Sequence, residues 1–216
     1  IFDRHLYEKG GLVLHMLRRE LGDELFYKAI RHYAHSYTGR NVVTLDFQRA
    51  IEESTGRNMD WFFDQWVFSP GHPEFKVDYS WDETNKTATL NIRQTQDGAS
   101  VPRAFRATVQ VAFVTSEGRN TFSAELTERG HTLTYLLSNR PKMVQFDAGY
   151  GVLKTLNFKK PKDLLIYQLR HDEDVTGRMD AARGLADFPT QDSLRALKRA
   201  VLRDSFWGVQ SAAARS

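Results

Sequence analysis

Apolar residues recur every three or four positions through the first third of the chain, then switch to every second position, then return to the longer period. From Glu8 to Leu21 the stripe is Val13, Leu14, Leu17 and Leu21. Leu12 and Met16 broaden it, which predicts a helix buried on most sides, with His15 packed between helices. Gly22 is expected to stop that helix and Asp23 to cap the next, which carries Leu25, Phe26, Ala29, Ile30, Tyr33 and Tyr37 on one face. Thr44 is expected to cap a third helix with Phe47, Ala50 and Ile51 inward and Gly56 at its end. Asn58 is expected to cap a fourth, holding Trp61, Phe62 and Trp66. Two prolines in Ser69-Pro70-Gly71-His72-Pro73 then forbid further helix.

From Phe75 the alternation is strict: Phe75, Val77, Tyr79 and Trp81 against Lys76, Asp78 and Ser80. Asp82 to Lys86 reads as a turn, and Ala88, Leu90 and Ile92 alternate after it. Phe105, Ala107, Val109, Val111 and Phe113 form the longest run, and four shorter strands are expected around 122–126, 133–137, 144–146 and 153–158. Seven short strands separated by turn residues predict an antiparallel sandwich with Trp81 and Val109 facing its interior.

After Lys159-Lys160-Pro161 the helical period resumes with Leu165, Leu169, Ala181, Ala182 and Leu185, then Leu194, Leu197, Val201 and Leu202. LRHDEDVTGRMDAARGL resembles LRDSFWGVQSAAARS, Leu169 matching Leu202 and Ala181 matching Ala213 at offsets of 33 and 32 residues. Such a period predicts stacked helical pairs, and the wording is similar to a HEAT-type repeat. The chain opens abruptly at Ile1-Phe2-Asp3 and stops inside an Ala-rich helix at Ser216, and it reads as a piece of a longer protein. The face carrying Ala212, Ala213 and Ala214 is expected to lack a following repeat, which makes self-association through that end an expected interaction.

Composition narrows the function classes. Hydrophobic residues are 41% of the chain and aromatics 12%, enough for a core. Thirty basic and 27 acidic residues give a net charge of +3, too balanced to argue for nucleic acid. With no cysteine, thiolate catalysis and Cys-type zinc sites are excluded. No apolar run approaches the ~20 residues of a membrane span. None of the seven histidines is followed by Glu, so H-E-x-x-H is absent.

The run Asp3-Arg4-His5-Leu6-Tyr7-Glu8-Lys9-Gly10-Gly11, continuing to DELF, resembles the segment that follows the zinc site in aminopeptidase N-like zinc aminopeptidases, the gluzincin family. The resemblance extends through TLDFQRAIEESTGRNMDWFFDQWVFSPGHPEF. It implies that Tyr7 is catalytic, donating a hydrogen bond to the tetrahedral intermediate, and that a small β-sandwich follows the catalytic domain. It also implies zinc as the cofactor of the complete enzyme and a peptide as its substrate. A phenol has an ordinary pKa near ~10, so at neutral pH it can donate to a developing oxyanion. Without the resemblance Tyr7 would read as a tyrosine packed at a helix start.

Other candidates carry plainer readings. Glu8 suits the positive end of a helix. Gly10 and Gly11 are expected to permit close backbone packing beneath Tyr7. His32 and His35 lie three apart on a helix, but no third ligand completes a metal set, and a solvated face is expected. His5 lies beside Tyr7. The aromatic stripe Trp61, Phe62, Phe63 and Trp66 reads as core. Asp82, Glu83 and Asn85 suit a hairpin turn better than calcium. Asn85-Lys86-Thr87 fits a glycosylation sequon. Asp172, Glu173 and Asp174 suit a helix start.

The chain is therefore expected to be mixed and multidomain: residues 1–72 the helical end of a peptidase catalytic domain, 73–158 an antiparallel β-sandwich, and 159–216 the start of a HEAT-like helical repeat domain. The expected function is a fragment of a zinc-dependent aminopeptidase that carries Tyr7 but no metal site and is inactive alone. The competing expectation is a non-catalytic, peptidase-like scaffold for protein partners, and a third is a domain of the same shape used purely for binding.

Overall fold

The computed structural model describes residues 5–216, with backbone only at 5 and 6. A π-helical turn, His5–Lys9, runs without a break into α1 (Gly10–Leu21). Val13, Met16, Leu17 and Leu21 are buried, whereas Leu14 and His15 are exposed. α1 is thus buried on one face rather than on most sides, and His15 is not packed between helices. At 100° per residue position 15 points away from the line through 13, 17 and 21, and position 14 falls at the edge of that face beside 21. α2 (Asp23–Ser36) and α3 (Thr44–Thr55) pack on each other, and α4 (Asp60–Phe63) leads into a second π-helical turn, Asp64–Phe68.

The helix ends differ in detail from the expected caps. Gly22, at φ 78°, separates α1 from α2. Asp23 is the first residue of α2 and accepts two hydrogen bonds from Arg18 at 2.7 Å instead of capping. At α3 the Asp46 carboxylate accepts the Val43 N–H at 2.9 Å, so Asp46 rather than Thr44 satisfies that end. Asn58 does accept the Asp60 N–H at 3.1 Å, and Gly56 closes α3 in the left-handed conformation at φ 70°.

Seven strands follow: β1 (Glu74–Asp82), β2 (Thr87–Gln94), β3 (Ala107–Val114), β4 (Arg119–Leu126), β5 (Gly130–Leu136), β6 (Met143–Phe146) and β7 (Thr155–Phe158). They form two small sheets, in the orders β5-β2-β1-β7 and β4-β3-β6. One pairing departs from the all-antiparallel expectation: β7 runs parallel to β1, with Phe75 opposite Leu156. The chain leaves β6 in one sheet and crosses to the other before β7, so it enters from the same end as β1, and a crossover of that kind yields a parallel neighbour. Phe105 lies just before β3. Its backbone is paired by a side chain: its N–H donates to Gln94 Oε1 at 2.8 Å and its carbonyl accepts from Gln94 Nε2 at 2.9 Å.

Leu17, Ile51, Phe62 and Trp66 from the helices share one apolar cluster with Phe75, Leu90, Val109 and Phe113 from both sheets. The Trp66 and Phe105 rings, 5.3 Å apart, are one seam between helices and strands. Val109 is fully buried, while Trp81, at the far end of β1, is half-buried against the same core.

The C-terminal helices are α5 (Lys162–His171), α6 (Val175–Leu185), α7 (Gln191–Arg203) and α8 (Trp207–Arg215). Their own core contains Leu169, Ala181, Ala182, Leu185, Leu197, Val209 and Ala213. Ala212 and Ala213, expected to lack cover, are buried inside this bundle. The large apolar side chains left in solvent are Val175, Leu194, Leu202 and Trp207. The sequence repeat has a structural counterpart. Asp172 and Asp204, 32 residues apart, each end a helix in extended conformation and accept the N–H two residues on, at 3.0 and 2.9 Å.

Candidate functional site

The π-helical turn that carries Tyr7, Glu8 and Lys9 inserts one residue more per turn than an α-helix, and such turns recur at functional sites. The second π-helical turn contributes Trp66 and Val67 to the same place. Between the two turns, α1 and α3 lies a groove of about 630 Å³. Its floor is apolar, made by Leu17, Phe47, Phe62 and Phe63, and Tyr7, Lys9 and Thr44 are its polar side chains. Tyr7 stands at the mouth, 66% exposed. A phenol in that position can donate a hydrogen bond to a group held at the mouth while apolar atoms fill the groove.

Gly10 and Gly11 do not serve the close packing expected of them: a Cβ built on either meets nothing within 4 Å among the described residues. Both line the groove, so the missing side chains leave it open. Sequence spacing cannot separate these roles, because a glycine under a neighbouring backbone and one beside a void look alike.

The aromatic stripe is core, as its spacing suggests. Phe62, Phe63 and Trp66 are buried, and the Arg106 guanidinium lies 4.5 Å from the Trp61 ring centre. His32 pairs with Glu53 at 3.0 Å rather than with His35. The side chain of His5 lies outside the described residues. Asp82 accepts the Asn85 and Thr84 N–H groups, and with the Asn85 side-chain amide they hold its carboxyl below the usual range, as a turn requires. Among the described residues no group of three or more His, Asp or Glu could hold a metal ion, so the zinc that the resemblance implies finds no ligand set in them. No described helix is long and apolar enough to cross a membrane.

Asp172 departs most from its expected role. Asp174 does cap α6, accepting the Thr176 N–H at 2.8 Å. Asp172 instead is buried and accepts from Gln145 Nε2 at 2.8 Å and Gln168 Nε2 at 2.9 Å. Its partner on β6 is 27 residues away, which no local pattern could reveal.

Residues 1–66 match the model of the peptidase family M1 domain. Aminopeptidase N of Lactococcus lactis subsp. lactis is 39% identical over 74 residues, 34% of this chain and 9% of that protein. Transcription initiation factor TFIID subunit 2 of Drosophila melanogaster is 25% identical over 250 aligned positions, 96% of this chain and 20% of that protein. Among solved structures, Legionella pneumophila aminopeptidase A in complex with aspartic acid superposes with a TM-score of 0.76 at 16% identity, covering 98% of this chain and 26% of that one. This last likeness concerns the fold. The first part of the chain is M1 aminopeptidase-like in sequence, and the chain spans about a tenth to a quarter of the length of these relatives.

Proposed function

We propose that this chain is part of a zinc-dependent aminopeptidase that removes N-terminal residues from peptides, with Tyr7 as its oxyanion-stabilising group. The observation that carries the reading is the Tyr7-Glu8-Lys9-Gly10 motif, inside the family M1 match, in a π-helical turn at the mouth of an apolar groove. The zinc and its ligands belong to parts of the enzyme that this chain does not contain. Tyr7 contributes a hydroxyl that can donate a hydrogen bond. As the peptide carbonyl becomes tetrahedral its oxygen gains charge, and the phenol's hydrogen bond strengthens in the transition state more than in the ground state. In this reading residues 1–72 end the catalytic domain, 73–158 form a β-sandwich and 159–216 begin a HEAT-like repeat domain.

In the complete enzyme Tyr7→Phe keeps the ring and removes the donor. The expected outcome is a fall in kcat of about 100-fold or more with KM nearly unchanged. An unchanged turnover number removes Tyr7 from the mechanism. The 216-residue chain by itself is expected to retain no stoichiometric zinc after dialysis and to cleave no aminoacyl amide.

A second reading is favoured by one observation: the TFIID subunit 2 match spans 96% of this chain, whereas the aminopeptidase N match spans 34%. On that reading the peptidase-like fold is a non-catalytic scaffold for protein partners. Aminopeptidase activity of the complete protein that Tyr7→Phe abolishes excludes the scaffold. Absence of any peptidase activity in the zinc-loaded protein excludes the enzyme.

A further inference from the structure

Where the strands meet α5 and α6 there is a second cavity, of about 770 Å³, which shares no lining residue with the Tyr7 groove. That volume lies within the range of small-molecule sites. One wall is β6, the loop after it, β7 and Lys159-Lys160, and the opposite wall is α5 and α6. Phe158 and Phe188 give it apolar surface.

Three carboxylates around this cavity are already engaged, and a fourth, Asp187 after α6, lines it as well. Asp147 is fully buried, accepts the Gly151 and Val152 N–H groups at 3.1 and 3.0 Å, and pairs with Lys154 at 2.5 Å. Asp180 accepts the Tyr150 hydroxyl at 2.9 Å and Arg183 at 3.1 Å. Asp172 holds the two glutamine amides described above, and Gln145 Oε1 is buried with no hydrogen-bond partner among the described residues. The loop that brings Tyr150 here is strained, with positive φ at Asp147 (54°), Gly149 (80°) and Tyr150 (51°), and such strain persists at sites where the surroundings enforce it.

Lys160 differs from these groups. Among the described residues it joins no ion pair. Its Nζ donates to the neutral Gln168 Oε1 at 2.7 Å and lies 4.7 Å from the Phe158 ring centre. An ammonium has three protons to donate, and among the described residues this one donates to a neutral amide and faces a ring, with the Asp172 and Asp180 carboxylates near enough to act on it but not paired to it. We propose that the cavity binds a small organic carboxylate with an apolar arm, the carboxylate held by Lys160 and the arm laid against Phe158 and Phe188. A single negative charge is specified because the Asp172 and Asp180 carboxylates already act on Lys160 and repel a dianion.

Burial pulls the Lys160 ammonium down to about 8, against the Asp172 and Asp180 carboxylates, which hold it up. The charged groups facing it are Asp147 and Lys154 from the loop, Lys159 beside it, Asp172 at the end of α5, Asp180 and Arg183 on α6, and Asp187 after α6; Tyr150 stays protonated, raised by burial and by Asp180. A bound carboxylate favours the charged amine, so binding takes up a proton above pH ~8 and weakens as pH rises.

The test titrates the full 216-residue chain with phenylpropionate and, separately, inorganic phosphate, by calorimetry at about pH 7 and about pH 9.5. Expected are one saturable phenylpropionate site, at least about tenfold weaker at the higher pH and at least about tenfold weaker in Lys160→Met, with phosphate weaker still. Binding undiminished in a folded Lys160→Met places the ligand elsewhere, the Tyr7 groove included, and overturns the proposal. So does tighter binding of phosphate, or no saturable phenylpropionate binding. Should Lys160→Met fail to fold, NMR of isotopically methylated lysines in the wild-type chain decides. The Lys160 titration must move upward on saturation, and an unmoved titration overturns the proposal.

Discussion

Single residues in this chain are decided by what lies across from them. Gly177 sits inside α6, where glycine costs about 1 kcal/mol relative to alanine. A Cβ there would stand 2.0 Å from Asp172 Oδ2, the oxygen that receives both Gln145 and Gln168. Gly177→Ala is therefore expected to destabilise despite its better helix propensity, by about 1–3 kcal/mol, because the buried carboxylate must shift and lose its donors. Urea unfolding of the two proteins measures it, and a stabilised alanine variant would mean the carboxylate moves at no cost. The residue-by-residue record of the sequence is uneven for the same reason. Phe62, Trp66 and Val109 are buried where periodicity puts them. The environments of Gly10, Gly11 and Asp172 depend on chain far away in sequence and were misread.

At the scale of elements, the two helical pairs are tied at their turns. Arg178 of α6 donates to Asp204 at 2.9 and 3.1 Å and to the Asp172 carbonyl at 2.9 Å, so one guanidinium clips both turns. Burial pushes the Asp204 carboxyl up, but the Arg178 guanidinium and the Phe206 N–H outweigh it, and the group titrates below its ordinary range. A carboxyl whose folded pKa is depressed stabilises the fold above its unfolded value, near ~4, and that contribution is lost as pH falls through the folded value. Arg178→Met is thus expected to destabilise the chain at neutral pH and to narrow its gap to wild type under more acid conditions. Thermal melts as a function of pH follow this, and a gap that widens on acidification contradicts it. Element type was legible for the seven strands and the longer helices, but not for the π-helical turns at His5–Lys9 and Asp64–Phe68. Their ends were less so, since Asp46 rather than Thr44 meets the start of α3.

At the scale of the whole molecule, the helices α1 to α4 and both sheets share one core that ignores the boundary near Pro73. Trp66 touches Phe105, and the α1 stripe shares its cluster with both sheets. Trp66→Ala is expected to cost about 3–5 kcal/mol and to lower hydrogen-exchange protection in α1 and β3 together. Loss confined to the helices would show that the strands fold on their own. α5 to α8 keep a separate cluster and are expected to retain their relative protection in that variant.

By itself the sequence determined the order and kind of the elements, the faces that seek a core, and the motif around Tyr7. Those properties are local: side-chain periodicity, turn chemistry and a contiguous run of residues. Only the tertiary structure decided that β7 lies parallel to β1, that two π-helical turns border one groove, and that Lys160, Asp172 and Tyr150 meet around a second cavity. Each of those depends on groups brought together across the fold, and pairing at long range is set by how faces pack, for which the local pattern carries no signal.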